Sequence, residues 1–221
     1  MSLTKLSSLI NDSQKAVVDE PRNYIGASAI GYECLRKIWY ELKGENSSSV
    51  LPKTIRTWAI GKRLEGLVLE WLEESGLTIE RNYQDLESKT APVFRGHVDA
   101  ILVNKNGSQS IIEIKTAKDA SFKVFVNKGI KVWNKQYYAQ LQAYMGMSGI
   151  ASAYLLALNK DNSDLHDEFV TFDHEFYKQL EEKALMISTC QIAPPRISNS
   201  PIWYQCKLCK YNKECHQDFN S

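Results

Sequence analysis

Two apolar runs joined by Asn106-Gly107 constrain this chain more than any other feature. The first runs from Val98 to Val103 and contains Asp99; the second runs from Ser110 to Ile114, contains Glu113 and is followed by Lys115. Side chains alternate across a strand, so Glu113 and Lys115 point to one face. A two-residue loop of Asn106-Gly107 would pair Lys105 with Ser108 and put Asp99 and Glu113 on opposite faces. A three-residue loop, Lys105-Asn106-Gly107 with Gly107 left-handed, pairs Asn104 with Ser108 and sets Asp99 directly opposite Glu113. Glycine in the third place is the favoured arrangement, so this register is expected.

Opposed carboxylates on neighbouring strands, with Cβ atoms about 4.5–5.5 Å apart, repel unless a cation lies between them. Oxygen ligands with room for water suit Mg2+ or Mn2+. Lys115 beside them can orient a water or stabilise charge developing on a phosphate. The plain alternative is a surface hairpin carrying a Glu–Lys pair and an unrelated aspartate. Ile111, Ile112 and Ile114 weigh against it, because charged residues inside a buried strand need a reason. Glu65 could add a third carboxylate from a helix, or be an ordinary solvated helix residue. Gln140 and Tyr144 are four apart on one helix face and could serve the same site, or Tyr144 could simply pack in the core.

The remaining patterning gives an α/β chain with helices around a mixed sheet. Helices are expected over Ala27–Lys43 (Ser28 as N-cap, Gly44 as stop), Thr54–Glu74, Trp133–Met147 and His174–Thr189. On the second of these, Trp58, Leu64, Leu67, Val68, Trp71 and Leu72 form the expected apolar stripe, and Gly76 ends it. Strands are expected over Leu77–Tyr83, Val93–Val103, Gln109–Thr116, Ala151–Leu158 and Glu168–Phe172. Polar breaks fall at Glu45–Ser49 and Pro194–Pro201, and the second separates the body from a Cys-rich tail.

That tail holds Cys206, Cys209 and Cys215. Three thiolates so spaced bind zinc or an iron–sulfur cluster, and either normally takes a fourth ligand. His216 directly follows Cys215, and adjacent residues rarely reach one metal. Cys34 is the better candidate, and would close a loop of about 170 residues. Cys190 has no partner in the pattern and reads as a packed thiol. The N-terminus lacks the apolar core of about 7–15 residues that a secretion signal needs, and no apolar run reaches the roughly 18 residues of a membrane span. A reducing, cytoplasmic compartment without membrane attachment is therefore expected, where a disulfide framework is not.

With 27 Lys and Arg against 26 Asp and Glu, the 221-residue chain has a formal net charge of +1. This excludes nucleic-acid binding by bulk positive charge, but not by a local track. Lys115 to Lys135 carries six Lys and one Asp, and Glu33 to Arg63 seven Lys or Arg and three Glu. Glu65 to Glu87 and Asp164 to Glu182 are each strongly acidic.

Taken in order, these residues resemble the RecB-like branch of the PD-(D/E)XK nucleases. The resemblance is closest to the iron–sulfur exonucleases associated with CRISPR systems and their phage homologues, and it spans Ser28 to Cys215. It rests on Cys34-Leu35-Arg36-Lys37-Ile38-Trp39-Tyr40, then Gly61 with Glu65, Gly96 with Asp99, Glu113 with Lys115, Gln140 with Tyr144, and the three closing cysteines. Two positions depart from the pattern: Glu65 stands where many members carry His, and Leu35 where Pro is usual. The resemblance implies a single nuclease domain over residues 1–221, with a restriction-endonuclease-like core. It also implies a DNA exonuclease with Glu65, Asp99, Glu113 and the Ile114 carbonyl as Mg2+ or Mn2+ ligands, Lys115 as the catalytic lysine, and Gln140 and Tyr144 in the site. A structural 4Fe–4S cluster on Cys34, Cys206, Cys209 and Cys215 would join residues 27–44 to 201–216. The implied partners are single- or double-stranded DNA ends, and either further copies of the chain or a recombination or CRISPR protein.

Two other classes compete with this reading. One is an inactive DNA-binding or assembly subunit with a four-cysteine zinc or iron–sulfur staple; the full set Glu65, Asp99, Glu113 and Lys115 argues against such decay. The other is a zinc-ribbon regulator, which leaves the Asp99–Lys115 constellation unexplained.

Overall fold

The computed structural model describes residues 5–14, 22–44, 51–81 and 85–217. The expected hairpin is its organising unit. Val103 pairs with Gln109 and Ala100 with Ile112, a register that places Asp99 opposite Glu113 one step further on. Asn104 and Ser108 close the three-residue loop through a backbone bond of 2.8 Å, and Gly107 takes φ +80. Only glycine adopts that φ without strain, so the turn chemistry sets the register.

Among the described residues the strands are β1 (Ile25–Gly26), β2 (Thr78–Glu80), β3 (Asp85–Glu87), β4 (Phe94–His97), β5 (Ala100–Val103), β6 (Gln109–Ala117), β7 (Ser152–Asn159) and β8 (Leu165–Thr171). The helices are α1 (Leu6–Ser13), α2 (Ala27–Ile30), α3 (Leu35–Lys43), α4 (Pro52–Glu74), α5 (Asp119–Lys128), α6 (Ile130–Trp133), α7 (Lys135–Ser148), α8 (His174–Thr189), α9 (Tyr204–Lys207) and α10 (Asn212–Cys215). The main sheet has the order β2-β5-β6-β7-β8, parallel only between β6 and β7. A parallel neighbour needs a crossover, which α5, α6 and α7 supply. A second sheet, β1-β4-β3, stands beside it.

The two faces of the hairpin serve different cores. Ala100, Leu102, Ile112 and Ile114 pack on Val68 and Leu69 of α4. Ile101, Ile111, Ala153 and Leu155 join the larger core with Leu141 and Met145 of α7. Glu113 and Lys115, in phase with Ile111, therefore face the α7 side.

Several expectations need correction. The helix expected over Ala27–Lys43 is two helices, broken at Gly31–Cys34; Gly26, not Ser28, precedes the first, while Gly44 ends the second at φ +66. A Cβ on Gly31 would stand 2.6 Å from the Gln136 Cα, so the break admits α7 at close range. The strand expected over Val93–Val103 is split between the two sheets at Val98–Asp99. On α4 the buried residues are Val68 and Leu69, flanked by Leu64 and Leu72, while Trp58 is 54% exposed and Trp71 38%. The helices α5 and α6 and the short strands β1 and β3 were not anticipated. The break at Glu45–Ser49 and the end of the strand at Tyr83 lie outside the described residues. The Pro194–Pro201 segment has no helix or strand, as its composition suggests.

Gly96 on β4 illustrates the tightness of the interior. A Cβ there would lie 2.6 Å from the Tyr144 ring and 2.9 Å from the Ala27 Cβ. Gly96→Ala is expected to lower stability by about 1–3 kcal/mol through overpacking, read as a reduced denaturant midpoint.

Candidate active site

Glu113 sits at 2% exposure on the central strand of the main sheet. Its Oε1 accepts from Lys115 Nζ and, at 2.9 Å, from Gln140 Nε2. Its Oε2 is buried and has no hydrogen-bond partner. Gln140 Nε2 also lies 2.7 Å from the Tyr144 hydroxyl. The amide meets Glu113 and the phenol meets the amide from α7, which starts on a cap, the Asn134 side chain accepting from the Gln136 and Tyr137 amides.

Asp99 leaves the strand direction at the junction of β4 and β5, and its Oδ2 accepts from the Ile114 amide at 3.1 Å. Burial first, then the Glu113 charge, push its carboxyl up to about 7, against the pull of the Ile114 amide and of Lys115. Burial opposes the charge of Lys115, but Glu113 outweighs burial and keeps Nζ protonated. Nζ also stands 4.8 Å from the centre of the Tyr137 ring. Glu65 approaches from α4: burial raises its pKa, Lys62 ion-pairs with it, and the Asp99 charge reaches it. The structure thus gathers all six expected side chains around one point on β6. The sequence reading missed Lys62 and Tyr137; each stands three residues from an expected site residue, on the same helix.

Among the described residues no group of three or more His, Cys, Asp or Glu side chains is placed so that it could hold a metal ion, neither at the carboxylates nor at the cysteines. Lys115 and Lys62 occupy an oxygen each on Glu113 and Glu65. The donor chemistry nevertheless fits a divalent cation. The buried Oε2 of Glu113 lacks a donor, and Asp99, whose pKa burial and the Glu113 charge raise, brings a second carboxyl beside it.

The four cysteines expected together are neighbours, but as placed they form no group that could hold a metal ion. Cys34, Cys206, Cys209 and Cys215 line one cavity of about 320 Å³, and all are free thiols. Burial, then the neighbouring thiols Cys215, Cys34 and Cys209, raise the Cys206 pKa. His216 is buried on the same wall. Cys190 packs against the core, its carbonyl accepting from the Trp39 indole at 3.0 Å. Lys118, Lys123, Lys128, Lys131 and Lys135 are exposed along the segment leading away from Lys115. No helix among the described residues is long and apolar enough to cross a membrane.

Residues 22–151 match the family model of the YqaJ-like viral recombinase domain. The chain belongs to the YqaJ-like family. The matched span holds Cys34 and every carboxylate, lysine, amide and phenol of the site, and ends before Cys206. No curated protein matches the chain in sequence. The YqaJ-like chain shares its fold with several solved structures. SSO0001 is similar at 18% identity over 96% of both chains, with a TM-score of 0.57. The alkaline exonuclease LHK-Exo from Laribacter hongkongensis is similar at 13% identity over 82% of this chain and 90% of that one, with a TM-score of 0.57. A phage-related exonuclease from Haemophilus somnus 129PT is similar at 16% identity over 69% and 77%, with a TM-score of 0.50.

The raised Asp99 pKa has a direct consequence for stability. Between about pH 4 and pH 7 the folded chain holds a proton on Asp99 that the unfolded chain has lost, so stability from this group falls as pH rises. In chelator, the wild-type denaturant midpoint is expected to fall relative to Asp99→Asn across that window, and Mn2+ at neutral pH to restore it. Parallel pH curves for the two proteins would contradict the assignment.

Proposed function

We propose that this YqaJ-like chain is a metal-dependent DNA exonuclease. Glu65, Asp99, Glu113 and the Ile114 carbonyl would hold Mg2+ or Mn2+. The observation that carries the reading is the buried, unpartnered Oε2 of Glu113, with Asp99 opposite and Lys115 alongside. When bound, such a cation polarises a phosphodiester and lowers the pKa of water. The chain's own groups do the rest. Lys115, kept charged, stands where it can hold a water or the charge growing on a phosphate oxygen. Gln140 fixes the Glu113 carboxylate, and Tyr144 fixes Gln140. The exposed lysines from Lys118 to Lys135 would carry the DNA backbone toward the site, a local contribution that the near-neutral net charge permits. Family membership and the fold shared with LHK-Exo and the phage-related exonuclease support DNA ends as substrate. The solved complex of LHK-Exo with dAMP points the same way.

The cavity lined by Cys34, Cys206, Cys209 and Cys215 would hold a structural 4Fe–4S cluster, tying the loop that carries α9 and α10 to the start of α3. Four free thiols around one cavity, in a chain that resembles the iron–sulfur nucleases, support that assignment.

End-labelled single- and double-stranded DNA, incubated with Mg2+, Mn2+ or chelator, tests the activity. Cleavage is expected with either metal and not with chelator, and Glu113→Gln or Lys115→Ala is expected to reduce it by about 10²–10⁴-fold while leaving the fold intact. Undiminished cleavage by both variants would overturn the proposal. Protein purified without oxygen is expected to be brown and to lose its visible absorption on Cys206→Ser; a colourless protein with stoichiometric zinc would overturn the iron assignment.

A further inference from the structure

The cysteine cavity carries cations that the cysteine pattern alone does not explain. Arg36, Lys37 and Arg196 line it together with the four thiols. Each is used differently. Lys37 Nζ lies 3.3 Å from the centre of the Tyr32 ring. Arg196 is tied to the main chain, its Nε donating to the Cys215 carbonyl at 2.6 Å. Arg36 makes a direct contact with a sulfur, its Nη1 lying 3.9 Å from Cys215 Sγ, while the Lys37 charge reaches the Cys209 thiol. Its Nε is buried from solvent and has no hydrogen-bond partner. Its guanidinium also stands 6.0 Å from the centre of the Tyr40 ring, on the same helix.

A neutral thiol is a weak acceptor and offers this guanidinium little. A thiolate is a strong one, and charge-assisted hydrogen bonds to it are roughly twice as strong as neutral ones. Four thiolates around zinc or around a 4Fe–4S core leave the centre with net negative charge, inside a part-buried cavity where such charge needs compensation. Arg36 has the charge, the reach and the spare donor for that task. We propose that Arg36 is the positioning residue of this centre, donating through Nη1 to the Cys215 sulfur and through Nε into the cavity, so that it stabilises the anionic thiolate centre. This rests on the reading that the four cysteines hold a metal centre.

For an iron–sulfur centre two effects follow. Reduction adds negative charge, so a cation at the sulfur favours the reduced form and raises the potential. Loss of a ligand begins with protonation or dissociation of a thiolate, and a donor on Cys215 slows it.

The test uses the full chain, reconstituted without oxygen, as wild type, Arg36→Gln and Arg36→Lys. Iron and sulfide content, visible absorption, midpoint potential and rate of iron release to a chelator are measured on each. Arg36→Gln is expected to load fully, to shift the potential to more negative values and to release iron several-fold faster. Arg36→Lys, which keeps the charge but not the planar fork, is expected to recover most of the potential and only part of the release rate. Should the centre prove to be zinc, the several-fold faster release from Arg36→Gln remains the expected result. A fully loaded Arg36→Gln with wild-type release rate and, for iron, wild-type potential would overturn the inference while leaving the metal centre standing. A wild type that binds neither iron nor zinc would overturn the metal centre itself, and this inference with it. If Arg36→Gln does not fold, Arg36→Lys decides alone: release indistinguishable from wild type would count against the bidentate role.

Discussion

Glu113 is a carboxylate buried in the middle strand of an apolar sheet, and much of the surrounding structure follows from making that tolerable. An isolated buried charge costs several kcal/mol unless it is paired and hydrogen-bonded. Lys115 and Gln140 satisfy one oxygen, and the other is left without a donor. Gln140 can reach only because α7 crosses beneath β6, and α7 can do so only because its neighbours yield room. Gly31 lets the Gln136 backbone approach, and Gly96 leaves space for the Tyr144 ring. Asp99 adds a second carboxyl to the same neighbourhood through the hairpin register. A fold selected for stability alone would have no use for two facing acids here.

The start of α7 lies between the carboxylate site and the cysteine cavity. Gln136 lines the cysteine cavity, while its neighbour Tyr137 faces Lys115 and Gln140, one turn on, reaches Glu113. The family match covers α7 and the site but stops short of Cys206–Cys215. The C-terminal loop shares a cavity with Cys34 and Gln136 of the matched region.

The site was more legible in the sequence than the fold around it. Asn106-Gly107 specified the hairpin loop, because Gly in the third place admits the left-handed conformation and thereby fixes which side chains oppose. The apolar neighbours of Glu113 marked it as buried. The errors share a cause: long-range packing overrode local pattern. Nothing near Gly31 announces that a distant helix must pass within contact distance of it, so the pattern of two helices resembles that of one. Asp99 turns the chain from one sheet into another, which a run of strand-forming residues does not reveal. On α4 the partner sheet selected Val68 and Leu69, leaving Trp58 to solvent. The helix α5 escaped notice because only Phe122 and Phe125 of its residues are buried, and its lysines obscure the period.

On the proposed reading Asp99 and Glu113 together hold a divalent cation. Mn2+ binding followed by electron paramagnetic resonance at neutral pH tests it without reference to any substrate. The account predicts that wild-type protein immobilises Mn2+ and that Glu113→Gln loses that binding while retaining its fold. Glu113→Gln protein that binds Mn2+ as wild type does would contradict it.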